Sequence, residues 1–308
     1  MSRFLIGRLA ATIPVLLGVW FLVFMMLHLV PGDPVKIMLA DFQTSPQQIE
    51  LLRSQLHLND PLPKQFARFV ANAARGDLGL SIRSKRPVRT EIAENLGATL
   101  QLAIAALLIA IVVGVTLGMI AAIHQNGWLD FGPMLVALCG VSMPSFWLGL
   151  LLIFFFSLRL GWFPATGGGD LKHLILPALT LGLGASAIIA RLTRSSMLEV
   201  LRQEYMTTAR AKGLRETRVV IRHGFKNALI PVVTIFGLQF GSLMAGTVIV
   251  ETVFARPGIG RLIVTAILAK DFPMVQGIVL LIATTYVIVN LIVDISYGIL
   301  DPRIRVGG

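Results

Sequence analysis

The sequence predicts an all-α protein that crosses a membrane several times. Hydrophobic residues make up 55% of the 308 positions and charged residues only 14%, whereas soluble domains carry roughly 25% charged residues. Six segments are apolar enough, and close enough to about 20 residues in length, to cross the hydrocarbon core as helices. They are residues 9–30, 99–123, 131–158, 174–190, 229–250 and 275–300. Pro144 lies inside the third segment and predicts a kink there.

The placement of basic residues predicts which side of the membrane each connection faces. With the N-terminus inside, the cytoplasmic connections and termini carry thirteen Lys and Arg residues, and the short external connections 159–173 and 251–274 carry five. Short loops rich in Lys and Arg face the cytoplasm, whereas loops longer than about 60 residues are uninformative. Both termini are therefore expected in the cytoplasm. The net charge of +11 has the same origin, so nucleic-acid binding is not expected.

This topology divides the chain into four parts. Residues 1–30 are the N-terminus and first span, 31–98 an external segment, 99–300 a five-helix core, and 301–308 a cytoplasmic C-terminus. The external segment mixes prolines, charges and apolar runs, which is typical of short helices. It is too small to bury an independent core.

The core contains a basic cytoplasmic loop, residues 191–228, with nine Lys and Arg residues against three acids. Apolar and small side chains recur at helical spacing at Leu198, Leu201, Tyr205 and Thr208. No Pro or Gly interrupts residues 195–212, so the pattern predicts one amphipathic helix that ends at Gly213, because glycine readily takes the left-handed conformation that closes a helix. A second short helix is predicted over residues 217–223.

The predicted loop helix has two alternative partners. A basic amphipathic helix can lie on anionic lipid. Here the apolar face is narrow and carries the small residues Ala209 and Ala211. Small residues permit close approach, so the pattern favours docking against another protein.

The sequence contains no motif for nucleotide binding or catalysis. It lacks the G-x-x-x-x-G-K-[ST] P-loop that cradles phosphates, and no two of its five histidines stand at ligand spacing. We therefore expect neither an enzyme nor a cofactor or metal site in this chain. Asn290 and Asp294 share one face of the last span. An ionisable residue in a span indicates function by default, and structural pairing near the cytoplasmic end is the alternative.

The basic loop closely resembles the cytoplasmic "EAA" loop of binding-protein-dependent ABC importer permeases. The similarity covers residues 205–213 and 219–234, and is greatest to the first (B-type) permease of the dipeptide, oligopeptide and nickel branch, which includes glutathione-type permeases. Three further motifs agree, namely Val30-Pro31-Gly32-Asp33-Pro34, Phe254-Ala255-Arg256-Pro257-Gly258-Ile259-Gly260-Arg261 and Asp301-Pro302-Arg303-Ile304-Arg305. Thr207 replaces the acidic residue of the general signature, a departure that is usual in the peptide branch.

The resemblance implies a type I ABC importer permease fold in the bacterial inner membrane. Such a permease pairs with a homologous second permease and with two cytoplasmic ATPase subunits, which bind the ATP and Mg²⁺. A periplasmic or lipid-anchored binding protein delivers the solute. Di- and oligopeptides are the implied cargo, with glutathione, nickel chelates and opines as alternatives. A secondary transporter is the alternative from another class, and it predicts inverted repeats and ionisable residues at the midplane.

The resemblance also implies two functional surfaces. The loop helix becomes the coupling helix, seated on an ATPase through Tyr205, Thr208, Ala209, Arg210, Ala211, Lys212 and Gly213. The turn after the fifth span becomes a binding-protein docking surface or a gate, through Arg256, Pro257, Gly258, Gly260 and Arg261. The alternative for this turn is that the short helix after it only caps the cavity between the last two spans.

Overall fold

The computed structural model describes residues 2–29, 34–38, 45–55 and 57–300. Within these residues the regular structure is helical, apart from one isolated bridge between Leu80 and Pro87. The α-helices are α1 (Ser2–Leu29), α2 (Pro34–Met38), α3 (Pro46–Gln55), α4 (Leu62–Ala74), α5 (Val88–Ile123), α6 (Trp128–Ser142), α7 (Ser145–Leu152), α8 (Lys172–Leu201), α9 (Glu204–Ala211), α10 (Glu216–Arg218), α11 (Lys226–Val253), α12 (Ile259–Leu268) and α13 (Phe272–Leu300). Two π-helical segments, Ile153–Arg159 and Val219–Phe225, continue α7 and α10. The prediction of an all-α protein is confirmed.

Five helices in the described part of the chain are long and apolar enough to span a membrane. They are Ala10–Leu29 in α1, then α5, α8, Pro231–Val253 in α11 and Phe272–Val293 in α13. A sixth span exists if α6 and the helix Ser145–Arg159 are counted together, and these two meet at an angle of 108°. The expected kink at Pro144 is therefore a complete break. Its cause is local, because a residue that precedes proline is forced out of the helical region, and Met143 is extended with ψ 127°.

Two predicted boundaries in the basic loop are wrong. The single helix expected over residues 195–212 is interrupted, because α8 ends at Leu201 and Gln203 is extended before α9 begins. The short helix expected over residues 217–223 is not separate, since α10 and the π-segment Val219–Phe225 run directly into α11. After the interruption, the apolar side of α9 packs back on Val219 in the π-helical segment, a tertiary contact that local sequence patterns do not show.

The chain divides into two compact units, which we call the core unit and the flanking unit. The core unit holds Ala98–Pro257 and the chain from Val289, and the flanking unit holds Ser2–Gly97 and Gly258–Ile288. These units are defined by contacts within the fold, whereas the four parts predicted from the sequence are defined by the side of the membrane that each faces. The four-part division therefore stays a prediction.

Helices α5 and α8 lie in direct backbone contact within the core unit. A Cβ atom on Gly114 would stand 2.6 Å from the Ser186 carbonyl oxygen, and one on Gly118 would overlap the carbonyl oxygen of Ala190. Glycines four residues apart let two membrane helices approach this closely. Around this contact, Leu102, Leu176 and Phe254 form a buried apolar cluster. The helix that leads into the basic loop is thus held firmly against α5.

The flanking unit contains the short helices predicted for the external segment, including α3 and α4. Asp271 is 3% exposed just before α13. The Ser81 hydroxyl donates to Asp271 Oδ2 at 2.5 Å, and the main-chain nitrogens of Ile82 and Met274 lie 3.2 and 3.3 Å from Oδ1. One carboxylate therefore both caps α13 and fixes the turn that precedes α5.

Candidate functional site

The helix α9 is held to its own chain by one narrow face. Met206 is fully buried and Ala209 is 8% exposed, and both pack on Val219 together with Leu201 and Leu214. Residues three apart lie on the same side of a helix, so the opposite side of α9 faces outward. Tyr205, Thr208, Arg210, Ala211 and Lys212 are exposed on this side and at its ends.

This packing corrects part of the predicted docking face. Ala209 and Ala211 were both expected to contact a partner, but Ala209 faces inward and only Ala211 is exposed. The predicted face also omitted Met206, the side chain that anchors the helix. The available signal was that Met206 is a large apolar residue in an otherwise small or polar helix.

Polar contacts fix both ends of α9. Asn227 Nδ2 donates to the Tyr205 hydroxyl oxygen at 2.9 Å, and Arg210 Nη2 donates to Glu216 Oε1 at 2.9 Å. The Arg210 guanidinium holds the pKa of the Glu216 carboxyl below its usual value. Gly213 has φ +74°, so the predicted left-handed residue after the helix is confirmed.

A second set of contacts connects α8 to the start of α6. Arg194 donates to both carboxylate oxygens of Asp130, with Nε 2.5 Å from Oδ1 and Nη2 2.6 Å from Oδ2. The Asn126 main-chain nitrogen also donates to Asp130 Oδ2 at 3.0 Å. Paired Arg–carboxylate bonds fix orientation as well as distance. Sequence reasoning missed this pair because its members lie 64 positions apart.

The turn after α11 places its first cation inside the protein. Arg256 is 4% exposed, with Nη2 3.5 Å from Gln101 Oε1, and its Nε and Nη1 have no hydrogen-bond partner among the described residues. Nearby, Thr99 Oγ1 donates to the fully buried carboxylate of Glu251 at 2.6 Å. Burial lowers the pKa of the Arg256 guanidinium, an effect that the negative charge of Glu251 opposes.

Burial of Arg256 departs from the expectation that this residue is presented to a binding protein. Its guanidinium is buried within the core unit, bonded to Gln101 and under the influence of the negative charge of Glu251. This arrangement fits the alternative of a gate better than a docking surface. Pro257 lies beside Gly168 in the same unit. In the flanking unit, Gly258 precedes α12, Gly260 is buried in that helix, and Arg261 is exposed on it.

The polar pair of the last span is only partly described. Asn290 and Asp294 both belong to α13, and the Asn290 Oδ1 atom is buried without a hydrogen-bond partner among the described residues. The side chain of Asp294 lies outside the described residues, as do positions 30–33 and 301–305 of the predicted motifs.

A cavity of about 310 Å³ lies beside the break between α6 and α7 in the core unit. It is bounded by that break, by α8 and by α11, and its lining includes the polar residues Ser145, Thr180, Gln239 and Ser242. Gln239 is 8% exposed. The rest of the lining is apolar. Polar side chains that face a cavity between apolar helices are typical of a transport pathway rather than of a lipid-facing surface.

Comparison with known proteins decides the family. Residues 114–306 match the family described as binding-protein-dependent transport system inner membrane component, and residues 1–103 match its N-terminal companion. The chain belongs to this family. It is therefore the permease component of a binding-protein-dependent ABC importer, as the sequence motifs indicated, and a multi-pass inner-membrane protein. Family membership excludes the secondary-transporter alternative.

The permease has full-length relatives. It is 47% identical over 305 residues to the glutathione transport system permease protein GsiC of Escherichia coli O6:H1 strain CFT073, and 46% identical to that of strain K12, with 99% of each chain covered in both cases. Neither relative is an enzyme by name, which agrees with the absence of a P-loop from the sequence.

Solved structures of ABC transporters share the fold. One is the MetNI methionine ABC transporter in an inward-facing conformation, with TM-score 0.58 and 19% identity over 68% of this chain and 96% of that chain. Another is an amino acid ABC transporter, with TM-score 0.52 and 15% identity over 70% and 94%. The predicted type I importer fold is thereby confirmed for this permease.

Proposed function

We propose that this permease forms half of the translocation pathway for glutathione or a closely related small peptide. The observation that carries the proposal is the similarity, over 99% of both chains, to permeases named for glutathione transport. Glutathione is a tripeptide, so it falls within the peptide class that the loop motif implies. The cavity beside the α6–α7 break is lined mostly by apolar residues with four uncharged polar side chains, which agrees with the same cargo class because hydroxyl and amide groups pair with peptide groups.

Energy enters this permease at α9, which is proposed as the coupling helix. Its inner face is fastened by Met206 and by the bond between Asn227 and Tyr205, and its outer face is polar and exposed. Displacement of α9 by an ATPase therefore has to displace the adjoining ends of α8 and α11. The backbone contact of α8 with α5 and the bond from Arg194 to Asp130 carry that displacement to two further helices.

The proposed assembly contains a homologous second permease, two ATPase subunits and a periplasmic or lipid-anchored binding protein. One outward surface of α5 is available for lipid or for the second permease, since Ile104, Leu108 and Val112 recur at four-residue spacing and are each at least half exposed. The ATPases meet the basic loop, so this loop and both termini lie in the cytoplasm. Arg261 is proposed to face the binding protein, and Arg256 with Glu251 to act at the gate.

The test is uptake by the complete transporter reconstituted in proteoliposomes. We expect uptake of labelled glutathione that requires both ATP and the cognate binding protein and that unlabelled small peptides reduce by competition. Uptake of a nickel chelate or an opine, with none of glutathione, would show the cargo proposal to be wrong while leaving the permease function intact. ATP hydrolysis that the binding protein does not stimulate would contradict the proposed assembly.

A further inference from the structure

Gln239 carries an amide that opens onto the cavity beside the α6–α7 break. The residue lies in α11 with 8% of its surface exposed, its side chain forms no hydrogen bond with a described residue, and its amide atoms are not sealed within the protein. An amide with no partner in the protein is available to hydrogen-bond a molecule that fills the space beside it. Gln239 lines the 310 Å³ cavity, so a molecule within that cavity is in reach of the amide.

The same cavity receives the start of α7. Ser145 is the first residue of this helix and lines the cavity, and the residue before it, Pro144, offers no side-chain cap. The first N–H groups of a helix carry partial positive charge. The nitrogens of Trp147 and Leu148 donate to the Pro144 carbonyl oxygen, which leaves those of Ser145 and Phe146 for a ligand. Broken membrane helices in transporters direct such ends at anionic parts of their substrates.

The remaining lining defines what kind of ligand fits. None of the residues that line the cavity is ionisable, so no fixed charge selects for a charged side chain. The Thr180 hydroxyl already donates to the Leu176 carbonyl oxygen at 2.8 Å, so the other polar side chains of the lining are Ser145, Gln239 and Ser242. A glutamine side chain offers both donors and an acceptor, which matches the N–H and C=O of a peptide bond.

We propose that Gln239 and the first turn of α7 form a transient subsite in the pathway that binds a main-chain amide and a carboxylate of the transported peptide. The inference rests on the proposed function and adds the residues that recognise the cargo after the binding protein has released it. Binding is to the backbone rather than to side chains, so the subsite accepts different small peptides and rejects solutes without a peptide bond. A cavity of this volume, at the lower end of ligand sites, holds part of a tripeptide.

The experiment measures selectivity in proteoliposomes that contain the complete transporter with saturating binding protein. Gln239→Met removes the amide and keeps the length of the side chain. Thr234→Val is the matched control, since Thr234 is buried in the same helix and does not line the cavity. The probes are glutathione and its backbone N-methylated analogue, each loaded on the binding protein to the same occupancy.

We expect Gln239→Met to lower glutathione uptake at least about fivefold while ATP hydrolysis stimulated by the binding protein stays within twofold of the wild type. The wild type and Thr234→Val should transport glutathione faster than the N-methylated analogue, and Gln239→Met should lose this preference. Unchanged uptake and preference in Gln239→Met would overturn the subsite. Failure of the wild type to transport any peptide would instead overturn the proposed function.

A second variant keeps the test decisive if Gln239→Met does not assemble. Gln239→Asn retains the amide on a shorter side chain, and we expect reduced uptake with the preference for glutathione preserved. If both variants fail to associate with the second permease, the amide belongs to the contact between subunits and the subsite is refuted.

Discussion

The bond between Asp130 and Arg194 gives the sharpest prediction for how α6 is connected to the basic loop. Replacing Asp130 by Asn keeps the side-chain volume but removes the negative charge opposite Arg194. Breaking a buried ion pair costs about 3–5 kcal/mol. The side chain of Arg194 is 28% exposed, so water compensates part of this loss and we expect about 2 kcal/mol. That is roughly a 30-fold increase in the population of locally open states at the start of α6.

Amide hydrogen exchange of the detergent-solubilised transporter measures this opening directly. In Asp130→Asn, peptides that cover residues 126–131 should exchange roughly 30 times faster, and the solute imported for each ATP hydrolysed should fall. Arg191→Gln is the matched control, because Arg191 is exposed one turn earlier on α8. The double variant Asp130→Asn, Arg194→Gln should recover part of the protection, since no uncompensated charge remains. Exchange within threefold of the wild type in Asp130→Asn would show that the bond to Arg194 does not hold the start of α6 closed.

Three further predictions follow from the same structure. Gly118→Val should abolish a monodisperse peak in size-exclusion chromatography, because the new side chain overlaps a carbonyl oxygen of α8. Gly97→Val is the control and should keep that peak, since the space around Gly97 is open. Equal profiles for the two variants would contradict the close contact. Gly213→Val forces a branched residue to φ +74°, which costs about 1–2 kcal/mol. Solute uptake should therefore fall while membrane insertion stays normal. Uptake at the wild-type rate would contradict a role of Gly213 in coupling. The pKa of Glu216 is lowered by Arg210, so the stabilisation that their contact gives is present above the unfolded pKa of about 4.3 and is lost as pH falls through the folded value. Protease resistance of the loop should therefore decline at acidic pH in the wild type. The decline is small because both side chains are exposed. A decline of the same size in Glu216→Gln would show that protonation of Glu216 is not its cause.

The features that could be predicted from the sequence are those that depend on neighbouring residues. Apolar runs fix where a span forms, whatever it packs against, so the helical fold and most spans were recovered. A kink at Pro144 follows from the restriction that a proline places on the residue before it, and the structure shows that this kink is a full break. The left-handed Gly213 follows from the end of an uninterrupted helical pattern. Each of these depends on a few consecutive side chains.

The features that could not be predicted depend on contacts between distant segments. Met206 could indicate that α9 has an inward face, but nothing in the local sequence shows that this face packs on Val219 or that the chain is extended at Gln203. The burial of Arg256 depends on Gln101 and Glu251, which come from two different helices. Gln239 lies in a long apolar run, and only the fold shows that the polar side of α11 meets the break before α7.

Crosslinking between α9 and the ATPase tests most directly whether energy enters this permease at that helix. Cysteine is placed at Thr208, on the exposed side of α9, in a chain that carries Cys139→Ser, and Met206→Cys in the same background is the buried control. In the assembled transporter we expect the Thr208 cysteine to crosslink to an ATPase subunit, with a yield that changes when ATP is added, and the Met206 cysteine to stay unlinked. Absence of a Thr208 crosslink in a complex that imports solute at the wild-type rate would contradict the account.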